Sequence, residues 1–151
     1  MAEAWRILKE KHAATAFTGE GAAKSGGRWN SRGVFLVYTS GTKSLAILEN
    51  LVHLNPPMRF TYVAIPLKFD DGLIETFPAK DLPADWRTEP PPPSTKIIGD
   101  LWVKSARSAV LALPSVITGE TNYLLNPAHP DFKQIRPGKP EPFSFDPRLF
   151  N

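Results

Sequence analysis

Apolar positions along this chain fall in short runs divided by glycine and proline. The densest run, Val34-Phe35-Leu36-Val37-Tyr38-Thr39, is β-branched and aromatic, opened by Gly33 and closed by Ser40-Gly41, which is the composition of a strand. It is apolar at consecutive rather than alternate positions, so it reads as a central strand covered on both faces. Weaker strand signals run from Phe60 to Leu67 and from Ser108 to Leu113. A helix begins near Thr42 to Ser44, which can cap it, and runs from Leu45 to about Leu54 before Pro56 and Pro57 stop it. Its apolar members Leu45, Ile47, Leu48, Leu51, Val52 and Leu54 cover one broad side. A second helix is predicted over Thr95 to Ala106 behind a Ser94 cap, burying Ile97, Ile98, Leu101 and Trp102. Mixed strands and two modest helices predict an α+β fold.

Sixteen prolines argue against long helices, because each removes an amide donor and clashes in a helix interior. The cluster Glu89-Pro90-Pro91-Pro92-Pro93-Ser94 is expected to be a stiff, extended connector within one domain. The proline-rich last quarter also carries Phe132, Ile135, Phe143 and Phe145, so it is read as an ordered tail lying on the core. A length of 151 residues with 42% hydrophobic side chains suits one domain, residues 1–151, around a single core. No run has the length of a membrane span, and the first residues lack the pattern of a signal peptide, so a cytoplasmic location is expected. With no cysteine, there is no disulfide, thiolate metal site or cysteine nucleophile. The net charge of +3 comes from scattered Lys and Arg rather than a stripe, which argues against direct nucleic-acid binding.

Two segments carry candidate chemistry. In Ser25-Gly26-Gly27-Arg28-Trp29-Asn30-Ser31-Arg32-Gly33 the glycines let backbone approach a ligand, and the Arg28 guanidinium offers forked donors suited to phosphate. The spacing matches neither a Walker loop nor the dinucleotide GxGxxG pattern. Glu49 lies within the first helix at the border of its apolar side, with His53 one turn on. A strand end, a short turn and a helix bring Tyr38, Glu49 and the Gly27-Arg28 loop into one neighbourhood. His12, His53 and His129 are too dispersed for a metal site, and His129 is expected to fix a turn.

The run Gly26 to Val34, then Val37-Tyr38-Thr39-Ser40, then Ser44 to Glu49 with Leu51-Val52-His53-Leu54, resembles the RES domain, named for its arginine, glutamate and serine. The similarity extends through Trp5-Arg6-Ile7, Leu82 to Trp86, Gly99-Asp100-Leu101-Trp102, Pro114-Ser115-Val116 and Asn122 to Phe132, nearly the whole chain. The resemblance implies a single domain with the fold of ADP-ribosyltransferase toxins. It also implies a toxin of an Xre–RES toxin–antitoxin pair that consumes NAD+ as hydrolase or phosphorylase, with NAD+ as substrate, phosphate as an optional co-substrate and no resident cofactor or metal. By the same resemblance Glu49 is the catalytic carboxylate, Arg6 and Arg28 grip the dinucleotide beside Gly27, Tyr38 packs on nicotinamide or its ribose, and Ser115 occupies the serine position. An Xre-type antitoxin is the expected partner, covering the NAD+ entrance or stopping the Arg28 loop from moving.

These residue types suit the chemistry. Breaking the nicotinamide–ribose bond builds positive charge on the sugar, which a carboxylate stabilises, while arginines neutralise the diphosphate. Two alternatives stand beside this reading: transfer of ADP-ribose to a protein from the same site, and a non-catalytic basic interaction module.

Overall fold

The computed structural model describes residues 1–54 and 60–150. In chain order it contains β1 (Ala2–Lys9), α1 (Glu20–Ser25), β2 (Val37–Ser40), α2 (Lys43–Leu51), β3 (Tyr62–Phe69), β4 (Ile74–Thr76), α3 (Pro93–Ser105), β5 (Val110–Pro114), β6 (Thr121–Leu125), β7 (Arg136–Pro137) and β8 (Glu141–Phe143), joined by loops and short 3₁₀ turns. Among the described residues, the eight strands belong to one sheet of order β4-β5-β6-β2-β1-β3-β7, with β8 also pairing β3. Every pairing is antiparallel except β4 with β5. This is the expected α+β domain, with a mixed sheet and few helices. Among the described residues no helix is long and apolar enough to cross a membrane.

Successive apolar residues of the central strands feed opposite faces of the sheet. Leu36, Leu111 and Leu124 pack with Trp29 and Trp102 on the α3 side. Their chain neighbours Val37, Val110 and Leu125 pack with Leu67 and Phe69 on the other. That is why the run around Val37 looked apolar at every position: β2 lies inside the sheet between β6 and β1. Beneath α2, Ala46 meets Ile7, Tyr62, Ala64 and Phe145. The proline-rich tail does lie on the core. Ile135 and Phe145 are buried, and β7 and β8 extend the sheet along β3.

The sheet parts at one seam. β1 pairs with β3 along its whole length, from Ala2 opposite Phe69 to Lys9 opposite Tyr62. Between β1 and β2 the only register pair is Trp5 with Ser40. The Tyr38 carbonyl on that side is met by a side chain instead, accepting from Arg6 Nη1 at 3.0 Å. The opening left by this seam is where the cleft lies.

Several boundaries differ from expectation for identifiable reasons. β2 begins at Val37, three residues later than the apolar run. The Asn30 amide claims the Val34 carbonyl at 3.1 Å, holding that stretch in a loop, and Phe35 is 49% exposed. Thr42 caps α2 as expected, its hydroxyl accepting from the Leu45 amide at 3.1 Å, but the helix ends at Leu51. Leu48 and Val52 face solvent rather than the core. The expected stops, Pro56 and Pro57, lie outside the described residues. α3 starts two residues early. Pro92 is its N-cap and Pro93 its first residue, the position where a missing amide hydrogen costs least. The Ser94 hydroxyl does not cap it but donates to Asp85 at 2.6 Å. The proline cluster is therefore split between connector and helix, and its Glu89–Pro90 bond is cis. α3 buries Thr95, Gly99 and Trp102, while Ile97 and Leu101 are 54% and 56% exposed. Trp102 is buried as expected, and at Gly99 the helix rests directly on the Trp29 backbone. The expected strands over Phe60–Leu67 and Ser108–Leu113 are displaced by about two residues, to β3 and β5. α1, β4, β6, β7 and β8 have no counterpart among the expected elements.

Candidate active site

A cleft of about 860 Å³ opens at the β1–β2 seam. Trp5, Arg6, Gly27, Arg28, Tyr38, Glu49, His53, Glu89, Lys96 and Asn122 are among its lining residues. Its volume lies within the range of small-molecule and cofactor sites. Five of the six residues singled out from the sequence, Arg6, Gly27, Arg28, Tyr38 and Glu49, thus share one cavity. The sixth, Ser115, stands directly behind Glu49.

Arg6 projects from β1. Its Nη1 is tied to the Tyr38 carbonyl, while its Nε is buried without a partner among the described residues. Burial pushes the guanidinium pKa down to about 10, so it stays protonated at neutral pH. A buried cation with an unmet donor at a cleft wall is suited to an anionic ligand.

The Gly26–Arg32 loop is built around two polar hubs. The Asn30 amide nitrogen donates to the carbonyls of Ala22, Ser31 and Val34 at 2.9–3.1 Å. Its amide oxygen accepts from the Tyr38 hydroxyl at 2.6 Å, and that hydroxyl accepts in turn from the Trp29 amide at 3.0 Å. Burial raises the Tyr38 pKa, keeping the phenol protonated. Gly27 is required by this arrangement, since a Cβ there would come within 2.5 Å of the Tyr38 hydroxyl. Its lack of a side chain makes room for a tyrosine, a reason different from the ligand approach expected. From α3, Lys96 Nζ donates to the Gly27 carbonyl at 2.8 Å, and Asp100 accepts from the Ser31 amide and hydroxyl at 2.8 and 2.6 Å.

Tyr38→Phe keeps the ring face toward the cleft but strands the Trp29 amide and the Asn30 oxygen. It is expected to destabilise the fold by about 1–3 kcal/mol, a fall in Tm of roughly 3–10 °C. Scanning calorimetry checks this, and an unchanged Tm would show that the loop does not depend on the phenol.

Arg28 is engaged by the segment leading to α3. Nη1 donates to the carbonyls of Trp86 and Thr88 at 3.0 and 2.8 Å, and Nη2 pairs with Glu89 at 2.6 Å. The two partners differ in exposure, 13% for the Arg28 side chain against 73% for Glu89. The carbonyl contacts fix Arg28 to the cleft wall, whereas the carboxylate lies in water and can leave.

Glu49 sits on α2 with both oxygens occupied. Oε2 accepts from Asn122 Nδ2 at 2.8 Å and Oε1 from the Ser115 hydroxyl at 3.5 Å. Ser115, buried just beyond β5, accepts from the Ile117 and Thr118 amides at 3.0 and 3.3 Å, so its proton is directed to the carboxylate. Glu49 does not face bulk solvent alone but stands in the same cleft as both arginines. Sequence reading missed Asn122, Asn30, Lys96 and Asp100 as parts of the site. Three of them lie in motifs already singled out, Asn30 in the Ser25–Gly33 loop, Asp100 in Gly-Asp-Leu-Trp and Asn122 in Asn-Tyr-Leu-Leu, while Lys96 carried no signal. His129 acts as expected, with Nδ1 accepting from the Asp131 amide at 3.0 Å in a turn remote from the cleft.

Comparison with known proteins bears on the fold and the family. A solved structure with the same fold, that of the M. tuberculosis MbcT–MbcA toxin–antitoxin complex, superposes with a TM-score of 0.76 over 95% of this chain and 84% of the other, at 16% identity. Toxin Res from Yersinia enterocolitica is 36% identical over 148 residues, 96% of this chain and 97% of the relative. The Prs ADP-ribosylating toxin of Sphingobium sp. is 40% identical over 153 residues, 96% and 94% respectively. The family model of the RES domain matches residues 3–146. With that span matched and its single α+β domain shared, the chain belongs to the RES domain family.

Proposed function

We propose that this protein is the toxin of a toxin–antitoxin pair and acts in the cytoplasm by cleaving NAD+ at the bond between nicotinamide and ribose, with phosphate or water as acceptor. The observation that carries the proposal is a carboxylate, Glu49, held by Asn122 at 2.8 Å and lining the same cleft as the buried, incompletely satisfied guanidinium of Arg6. As nicotinamide departs, the ribose acquires oxocarbenium character, and the fixed negative charge of Glu49 stabilises it. Arg6 and Arg28 bind the diphosphate on either side of the Gly27 turn, and the Tyr38 ring packs against nicotinamide or its ribose. The names of the relatives, toxins in each case, support the reading.

The test is incubation of the purified protein with NAD+, with and without phosphate. Nicotinamide is expected under both conditions if water can serve as acceptor, or only with phosphate present if it cannot, and mass spectrometry of the co-product distinguishes ADP-ribose from its phosphorylated form. Intact NAD+ under both conditions would remove the proposal. A second reading, transfer of ADP-ribose to a protein, is favoured by the name of the Sphingobium relative. It predicts label from adenylate-labelled NAD+ on a macromolecule rather than wholly in small molecules. The partner is proposed to be an Xre-type antitoxin seated over the cleft mouth, so NAD+ added to the purified complex is expected to persist.

Because Glu89 neutralises Arg28 where a phosphate would bind, Glu89→Gln is expected to lower KM for NAD+ about threefold to tenfold. That range corresponds to about 0.7–1.4 kcal/mol. Steady-state kinetics measure it, and an increase in KM would mean that Glu89 only anchors the wall.

A further inference from the structure

The seam-side carboxylate is held by a side chain to which the proposed chemistry assigns no role. Asn122 projects from β6, 8% exposed, directly opposite Ser40 of β2 in the ladder. Its amide oxygen accepts from the Ser40 hydroxyl at 2.8 Å, and its amide nitrogen donates to Glu49 Oε2 at 2.8 Å. A carboxylate only accepts, so the amide nitrogen must face Glu49. The amide oxygen must then face a donor, which Ser40 supplies.

From this we infer that Asn122 is the positioning residue of Glu49, setting the carboxylate's orientation before substrate arrives. The inference rests on the reading of Glu49 as the catalytic carboxylate.

The anchor is rigid. Ser40 ends β2, the Gly41 amide donates to the Thr121 carbonyl at 2.9 Å, and Thr42 caps α2. A Cβ on Gly41 would approach that carbonyl oxygen to 3.0 Å, so the crossing from β2 to α2 lies tight against β6. Asn122 and Glu49 therefore sit on two elements laced together within a few residues. Ser115 contributes less, because its contact with Oε1 is long at 3.5 Å and its oxygen already serves two amides. The fold does not need the Asn122–Glu49 bond for its own integrity. The β2–β6 ladder runs on through Leu124 and Leu125, and α2 has its own cap. What the bond adds is direction. A glutamate on an exposed helix border otherwise samples several rotamers, and each excursion moves the charge away from the developing oxocarbenium.

The test compares Asn122→Leu, which removes the donor at similar volume, with Asn122→Asp, which keeps an acceptor for Ser40 but places a second carboxylate against Glu49. Asn122→Leu is expected to lower kcat for nicotinamide release about 10²-fold with KM within twofold. Asn122→Asp is expected to move the acid limb of the kcat–pH profile upward, because two adjacent carboxylates resist joint ionisation. The other titratable or charged groups lining the cleft are His53 on the same helix, Arg6 from β1, Tyr38 from β2, Arg28 and Glu89 from the loop and the proline segment, and Lys96 from α3, with the Ser115 hydroxyl beside Oε1. All are unchanged by either substitution, so a displaced limb reports the new pair.

A lowered Tm with wild-type kcat and an unmoved profile would reduce Asn122 to a structural role and overturn the inference. Should the wild-type protein leave NAD+ intact, the reaction is misread, but the clamp remains testable. The side-chain carboxyl carbon of Glu49, followed by NMR, is expected to shift in Asn122→Leu, and an identical resonance in both proteins would overturn it.

Discussion

Glu49→Gln is expected to leave the protein folded, with Tm within a few degrees of wild type, and to lower nicotinamide release about 10³-fold. The substitution keeps length and volume. Its amide oxygen still accepts from Asn122 Nδ2, where the carboxylate accepts at 2.8 Å. What disappears is a full negative charge beside the ribose carbon as it becomes cationic. Removing one preorganised electrostatic partner of a transition state commonly costs about 10²–10³ in rate, and a formal charge inside a cleft belongs at the upper end. The measurement is saturating turnover by chromatography of released nicotinamide, with circular dichroism as the check on folding. Turnover within tenfold of wild type would place the catalytic group elsewhere.

Gly99→Ala is expected to have the largest effect on stability, a loss of about 3 kcal/mol or more and a fall in Tm of roughly 10 °C. A Cβ at this helical position would overlap the Trp29 carbonyl oxygen and lie 2.8 Å from its carbon. The obstacle is backbone, so no rotamer change relieves it, and α3 must move away from the loop. That movement also strains the Asp100–Ser31 and Lys96–Gly27 bonds on either side, so KM for NAD+ should rise as the Arg28 loop shifts. Gly21→Ala in α1 is the control. A Cβ there meets nothing within 4 Å, and the substitution is expected to be neutral or stabilising by up to about 1 kcal/mol. Equal melting temperatures for the two variants would show that α3 does not pack on the Trp29 backbone.

Legibility from sequence varied with the range of the interaction. The Thr42 cap and the body of α2 were readable because capping and helical spacing act within four residues. The central position of the strand containing Val37 was readable because consecutive apolar residues leave no face for water. Its start was not. Only the fold reveals that the Asn30 amide removes the Val34 carbonyl from any ladder. α3 was misplaced for a similar reason. Ser94 looks like a cap locally, but Asp85 takes its hydroxyl, and the buried surface of the helix is Thr95, Gly99 and the expected Trp102, with Gly99 against the Trp29 backbone, leaving Ile97 and Leu101 outside. β6 carried no usable alternation, since its register is set by partners on both sides.

For the candidate site, the sequence by itself named the groups: Gly27, Arg28, Tyr38 and Glu49 through residue type and placement, and Arg6 and Ser115 through the resemblance to the RES domain. Their working relations were decided by tertiary structure. Gly27 is small for the Tyr38 hydroxyl, Arg28 is already paired with Glu89, and Ser115 and Asn122 donate hydrogen bonds to Glu49. The physical reason is that a hydrogen bond joins donors and acceptors 2.6–3.5 Å apart in space, and the two that hold Glu49 reach 66 and 73 residues along the chain. Local pattern specifies which groups the chain possesses, and only the folded sheet, parted at the β1–β2 seam, specifies which of them meet.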